Sequence, residues 1–174
     1  MPQKPEAVIM DIDGTFLDVR PFEHHFGRPE GFDAEAYDRD IQSAGTNAEA
    51  VEFLIRHHKE GRAILVFTAR KERYRESSYA WLRKVSPVPL HGVFHRANDD
   101  NRHDVVIKHD MYLRASEFFT VVAAMDDHPG VVHMWRDLGI PEVIQTEYTT
   151  YTDPRHLSKA VEAWEERRGP AARN

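Results

Sequence analysis

The sequence contains no cysteine. That excludes a disulfide framework and a thiolate metal site. Long apolar runs are missing too. No segment approaches the ~20 residues that a membrane-spanning helix needs. The opening MPQKPEA is polar and has no apolar signal core. A soluble, cytoplasmic protein with no membrane partner is the expectation. Excess positive charge is also absent. The formal net charge is −6, so bulk charge does not indicate a nucleic-acid partner and any basic surface must be local. There is no internal repeat and no low-complexity linker.

What remains is enough for one domain with a full core. That domain is expected over residues 1–168. The closing GPAARN, residues 169–174, is expected to be a disordered tail. Short runs rich in Val, Ile, Phe and Ala indicate strands at Ala7–Met10, Ala63–Phe67, Val93–His95, Thr120–Met125 and Glu142–Gln145. Helical patterns lie between them at Asn47–Lys59, Glu72–Val85, Arg102–Ala115, Pro129–Leu138 and His156–Arg168. Thr46 is the cap signal for the first of these, and Pro129 suits a first helical turn. Strands alternating with helices predict a three-layer α/β fold with a central, mainly parallel sheet flanked by helices. Residues 18–45 resist this reading. They are a long irregular segment, either functional or a surface excursion with a helical turn near Asp33–Ile41.

The chemistry lies at the strand ends, where open parallel sheets bind ligands. The first strand stops at Asp11, and Asp13 follows in the run Asp11-Ile12-Asp13-Gly14-Thr15. The second ends in Thr68-Ala69-Arg70, the third near His95-Arg96, and the fourth in Asp126-Asp127. Carboxylates crowded at the end of a buried strand repel one another, so something must compensate. Mg²⁺ takes oxygen ligands and would keep such acids ionised beside a phosphate. A carboxylate can then attack phosphorus while a second aspartate works as general acid and base. Thr68 and Lys108 are suitable donors to phosphoryl oxygens. Asp127 has three readings: a metal ligand, an acid behind the ligands, or the N-cap of the helix at Pro129. Asp18 reads as a loop acid.

In this order along the chain, the motifs resemble the haloacid dehalogenase superfamily of phosphohydrolases. Asp11 to Thr15 correspond to its first motif, Thr68 to its second, Lys108 to its third and Asp126-Asp127 to its fourth. The resemblance implies that Asp11 is the nucleophile and Asp13 the general acid/base. It also implies Mg²⁺ held by Asp11, the backbone carbonyl of Asp13, and Asp126, with Asp127 beside them.

A closer likeness runs from Arg96-Ala-Asn-Asp-Asp-Asn-Arg102-His-Asp104 to Lys108, and through Met134-Trp135-Arg136 to Gly139. This is similar to the 3′-phosphatase domain of phage-type polynucleotide kinase/phosphatases. It implies a Mg²⁺-dependent polynucleotide 3′-phosphatase acting on DNA or RNA 3′ ends, functionally coupled to a kinase or ligase. Arg70, Arg96 and Arg102 would then contact the substrate. No phosphate-binding Gly-x-x-x-x-Gly-Lys-Ser/Thr loop is present, so the kinase half is absent and a free-standing phosphatase is implied. The chain departs from the pattern twice. His128 stands where Arg usually follows the acidic pair, so a phosphate contact there is lost or falls to another residue. Ala69 replaces a common Gly, which is tolerated if its φ is negative.

Only about forty residues separate Thr68 from Lys108, and they must also supply a helix and a strand. No large cap fits there or after Asp13, so the site should admit a long chain end. Two other functions share these residues. A small-molecule or nucleotide phosphatase would use the same machinery. A phospho-accepting receiver-type signalling domain would need an aspartate at the end of its middle strand, where this chain has His95-Arg96.

Other residues read as structure. Lys71, Arg73 and Arg75 alternate with Glu72 and Glu76 as a solvated helix start. His57 and His58 are adjacent and share no helix face, and neither this pair nor His24-His25 is expected to bind metal. Trp81, Trp135 and Trp164 are expected in packing. Phe16, Phe22 and Tyr74 are candidates for stacking a terminal base.

Overall fold

A computed structural model describes residues 3–148, 151 and 153–169. The predicted tail from residue 170 onward lies outside the described residues. Five parallel strands form one sheet: β1 (Glu6–Met10), β2 (Ala63–Lys71), β3 (Gly92–Arg96), β4 (Thr120–Asp126) and β5 (Glu142–Gln145). Their spatial order is β3-β2-β1-β4-β5. The two strands that carry the acidic residues, β1 and β4, are therefore central and adjacent. The expected α/β class and layering are observed.

The period-2 alternation of the strands divides the core into two. Val8, Met10, Ile64, Val66, Ala123 and Met125 face one side. There they pack on α2 (Ala48–Lys59) and α3 (Arg75–Val85) through Phe53, Leu54, Trp81 and Leu82. Ala7, Ile9, Leu65, Phe67 and Ala124 face the other. They meet α4 (Asp104–Ser116), α5 (Pro129–Asp137) and α6 (Pro154–Arg168) through Val105, Met111, Met134, Trp135 and Trp164. The three tryptophans are buried, as expected.

Several element ends differ from the sequence reading. The strand β2 continues through Thr68 to Lys71, so the second motif lies within the strand rather than after it. The N-cap position of α2 is Asn47, not Thr46, and the Asn47 side chain donates to the Thr15 carbonyl rather than capping the helix. Glu72–Tyr74 form a 3₁₀ turn before α3 starts. The helix α4 begins at Asp104, after Arg102. Asp127 does not cap α5: His128 does, its Nδ1 accepting from Gly130 N at 3.1 Å.

Residues 18–45 hold only a 3₁₀ turn at Arg20–His25, the short helix α1 (Ala34–Asp40) and a second 3₁₀ turn at Ile41–Ser43. This is not a cap domain. The N-terminus of α1 is fixed by Asp33, whose side chain accepts from Ala36 N at 3.0 Å. Its Tyr37 and the following Ile41 join the core on the Val8 and Met10 side of the sheet.

Candidate active site

Strand register explains why the acids meet. Met10 pairs with Met125, and the Asp11 N–H donates to the Met125 carbonyl at 3.1 Å. The next residues, Asp11 and Asp126, therefore leave the sheet side by side. Both continue the alternation of Ile9 and Ala124, so both turn toward the layer that contains α4. The Lys108 side chain comes from that helix. Its Nζ donates to Asp11 Oδ1 at 2.8 Å and to Asp126 Oδ2 at 2.6 Å. All three residues are buried. Burial alone would lower the Lys108 ammonium, but the two carboxylates hold it charged and raise it above the usual range.

The remaining oxygens are also directed. Thr15 Oγ1 donates to Asp11 Oδ2 at 2.9 Å. The backbone N–H of His128 donates to Asp126 Oδ1 at 3.0 Å. Asp127 packs behind this pair, almost wholly buried, and its Oδ2 has no hydrogen-bond partner. It approaches the Gly14 backbone so closely that a Cβ at residue 14 would collide with that oxygen. Gly14 has φ +83°, so glycine serves here both for backbone conformation and for space.

Burial pushes Asp11 up to about 7, with repulsion from Asp126 and Asp13 added and attraction to Lys108 opposing. Burial, then Asp11 and Asp126, push Asp127 the same way. Oxygens of Asp11, Asp126 and Asp127 lie within 4.8 Å of one another. Three converging carboxylates, one with an unpartnered buried oxygen, fit a hard divalent cation. Such an ion would restore ionised acids at neutral pH.

Asp13 stands apart from this cluster. Its Oδ1 accepts from the Tyr37 hydroxyl at 2.8 Å, and it lines a cavity of about 460 Å³ at the mouth of the site. Burial and the Asp13 charge hold the Tyr37 hydroxyl protonated, so it remains a donor. Thr68 is buried, its Oγ1 accepting from Arg70 N at 3.1 Å. No described residue but glycine has a positive φ, which accounts for the acceptance of alanine at Ala69.

The three arginines are each held by a carboxylate. Arg70 pairs with Asp38 of α1, Arg96 with Asp104, and Arg102 with Asp100 and Asp110. Arg70 and Arg96 line the cavity beside Asp13. Arg96 and Arg102 line a neighbouring groove. Arg96 thus joins the two. Lys71 and Arg73 also line the cavity, while Arg75 pairs with Glu72 as a solvated helix start would. Asp18 pairs with Arg20 on the surface. His128 is buried, and desolvation lowers it to about 4. Its backbone N–H braces Asp126, as any non-proline residue here could, and its side chain caps α5 at the position where an arginine usually follows the acidic pair.

Tyr37, Asp38 and the bracing role of His128 were not read from the sequence. Thr15 alone carried a signal, as the last residue of the first motif. The base-stacking candidates need correction. Phe16 and Phe22 are core residues, while Tyr74 does line the cavity. The other cavity aromatics are Phe26, Phe32, Tyr37 and Tyr151.

Residues 5–151 match the family described as the polynucleotide kinase PNKP phosphatase domain. The chain belongs to this family. It is a haloacid dehalogenase-type phosphatase domain, and so a phosphoric monoester hydrolase. It is 31% identical over 148 residues to a protein of Autographa californica nuclear polyhedrosis virus named as a bifunctional polynucleotide kinase/RNA ligase. The match covers 80% of this chain but 19% of that relative, so the chain spans about a fifth of its length. A chain from the Pnkp1/Rnl/Hen1 RNA repair complex superposes with a TM-score of 0.69 at 23% identity, over 87% of this chain and 46% of that one. A class C acid phosphatase of Bacillus anthracis with tungstate bound superposes with a TM-score of 0.66 at 16% identity, over 98% and 76% of the two chains. At these identities the two structures speak to fold.

The receiver-type alternative falls with the family assignment, and the sheet agrees. Flavodoxin-like receivers order their strands 2-1-3-4-5, whereas this sheet runs β3-β2-β1-β4-β5. No described helix is long and apolar enough to cross a membrane.

Proposed function

We propose that residues 1–168 are one domain that removes terminal 3′-phosphates from polynucleotides. The supporting observation is the separation of the two aspartates that follow β1. Asp11 is buried between Lys108 and Thr15. Asp13 faces the open cavity with Tyr37 on its Oδ1. A nucleophile inside and a proton donor at the mouth are what hydrolysis through a covalent intermediate needs.

Asp11, Asp126 and Asp127, with the Asp13 backbone carbonyl, would hold Mg²⁺, which would neutralise the crowded acids and the phosphate dianion. The Asp11 carboxylate attacks phosphorus opposite the leaving 3′ oxygen. The bond from phosphorus to that oxygen breaks, and Asp13 gives the oxygen its proton. Asp13 then takes a proton from water as that water attacks the acyl-phosphate. The bond between phosphorus and Asp11 breaks, releasing inorganic phosphate. Thr68 and Lys108 donate to the phosphoryl oxygens, where charge accumulates. Arg70, Arg96 and Arg102 line the approach and suit the flanking phosphates, exchanging their present carboxylate partners for the substrate.

The product is a 3′-hydroxyl, the end that ligation requires. The viral relative's kinase/ligase name favours coupling of this domain to kinase or ligase activity. The second reading, a phosphatase of nucleotides or other small molecules, uses the same residues. Release of phosphate in Mg²⁺ separates the two, using one oligonucleotide with a 3′- or a 5′-phosphate and a nucleoside 3′-monophosphate. Strong preference for the 3′-phosphorylated oligonucleotide is expected. Equal or better turnover of the mononucleotide moves the function to nucleotide metabolism.

A further inference from the structure

The chemistry at Asp11 does not use most of the cavity at the mouth of the site. Its volume of about 460 Å³ is in the range of small-ligand sites. Asp13 is among the residues that line it, and Asp11, Asp126, Asp127 and Lys108 are not. In the reaction proposed above, Asp13 protonates the leaving oxygen. The group bonded to that oxygen therefore lies on the cavity side. The inference rests on that reading.

What the leaving group meets there is aromatic. The Phe26 and Phe32 rings stack nearly parallel, with centroids 5.8 Å apart and planes 3° apart. Tyr37 packs on both, at 5.5 and 5.2 Å. Tyr74 is also on the lining, with the Arg73 guanidinium 5.2 Å from its ring centroid. Phe26 is packed against the core, yet Phe32 is 53% exposed. A large ring left in water beside an acid that serves a leaving group has a ready use. The spacing of the pair leaves no slot between the rings, so a ligand ring must lie on the open face of Phe32.

We infer that Phe32, backed by Phe26 and Tyr37, is the stacking platform for the nucleobase of the nucleotide that carries the phosphate. Every base offers a π-face, so such a platform accepts any terminal base while rejecting phosphate esters without one. The irregular residues 18–45 thereby act as a specificity element rather than a surface excursion. Lys71, Arg70 and Arg96 on the same lining would serve the adjoining backbone by giving up their present partners, Asn98 and Asn101 for Lys71, Asp38 for Arg70 and Asp104 for Arg96.

The test compares phosphate release from substrates with and without the base, in Mg²⁺. One pair is a nucleoside 3′-monophosphate and ribose 3-phosphate. The other is a 3′-phosphorylated oligonucleotide whose last nucleotide is natural or abasic. Stacking on an aromatic ring predicts that the base lowers KM by about 5- to 150-fold in the wild type. Phe32→Ala is expected to collapse that ratio toward one, acting on KM more than kcat. Phe32→Trp is expected to keep it. A wild-type ratio near one, or a Phe32→Ala ratio equal to the wild type, overturns the platform. Failure of the polynucleotide reading would look different. The wild type would not prefer a 3′- over a 5′-phosphorylated oligonucleotide, while the mononucleotide pair would still report on Phe32.

Discussion

The Tyr37 hydroxyl donates to Asp13 Oδ1 at 2.8 Å, across 24 residues of chain. This bond ties the short helix α1 to the acid that faces the cavity. The same helix engages the second motif, because Asp38 accepts from Arg70 and from Ser77 Oγ, the latter at 2.7 Å. Residues 18–45 are thus fastened to the site from two sides.

Tyr37→Phe removes one hydrogen bond to a carboxylate, an interaction worth about 1.5–3 kcal/mol. We expect kcat to fall about 10- to 100-fold on a 3′-phosphorylated oligonucleotide. The loss should shrink on an aryl phosphate whose leaving group needs no proton. An equal loss on both would show that Tyr37 acts by structure alone.

Gly14→Ala should destabilise the protein. A left-handed conformation costs a residue with a Cβ about 1–2 kcal/mol, and the new methyl would also displace Asp127. Thermal melts are expected to show a lower Tm and a smaller gain on adding Mg²⁺. A normal Mg²⁺ response would place Asp127 outside the metal set.

Stability should depend on pH in a way that Mg²⁺ reverses. In chelator, the folded state holds protons on Asp11 and Asp127 that the unfolded chain releases. Stability from these groups is present below the ordinary 3.8 of a free aspartate and is lost as pH rises toward about 7. Asp127→Asn should flatten that decline and blunt the rise in Tm when Mg²⁺ is added at neutral pH. Parallel wild-type and variant curves across this window would contradict the assignment.

How much of this was legible depends on the range of the contacts. The apolar run Ala7–Met10 ending in Asp11, and the run ending in Met125-Asp126, are local patterns, and they located the central strands and their acids. Lys108 followed from its order in the chain. Tyr37, Asp38 and Phe32 left no such trace, because their roles are set by how an irregular segment folds back over β1. Phe16 and Phe22 looked like free aromatics for the same reason, yet both are packed into the core. Asp127 and His128 illustrate a finer limit. In sequence Asp127 is a candidate cap, but the helix begins at Pro129, so the residue just before it, His128, holds the cap position while Asp127 packs against Gly14.

The central claim is covalent catalysis by Asp11 on a polynucleotide 3′ end. It is tested most directly by acid-quenching a single turnover of a 3′-phosphate-labelled oligonucleotide in Mg²⁺, then locating the label, with Asp11→Asn alongside. The account predicts label on Asp11 of the wild type, and neither label nor phosphate release in Asp11→Asn. Full turnover by Asp11→Asn would contradict it.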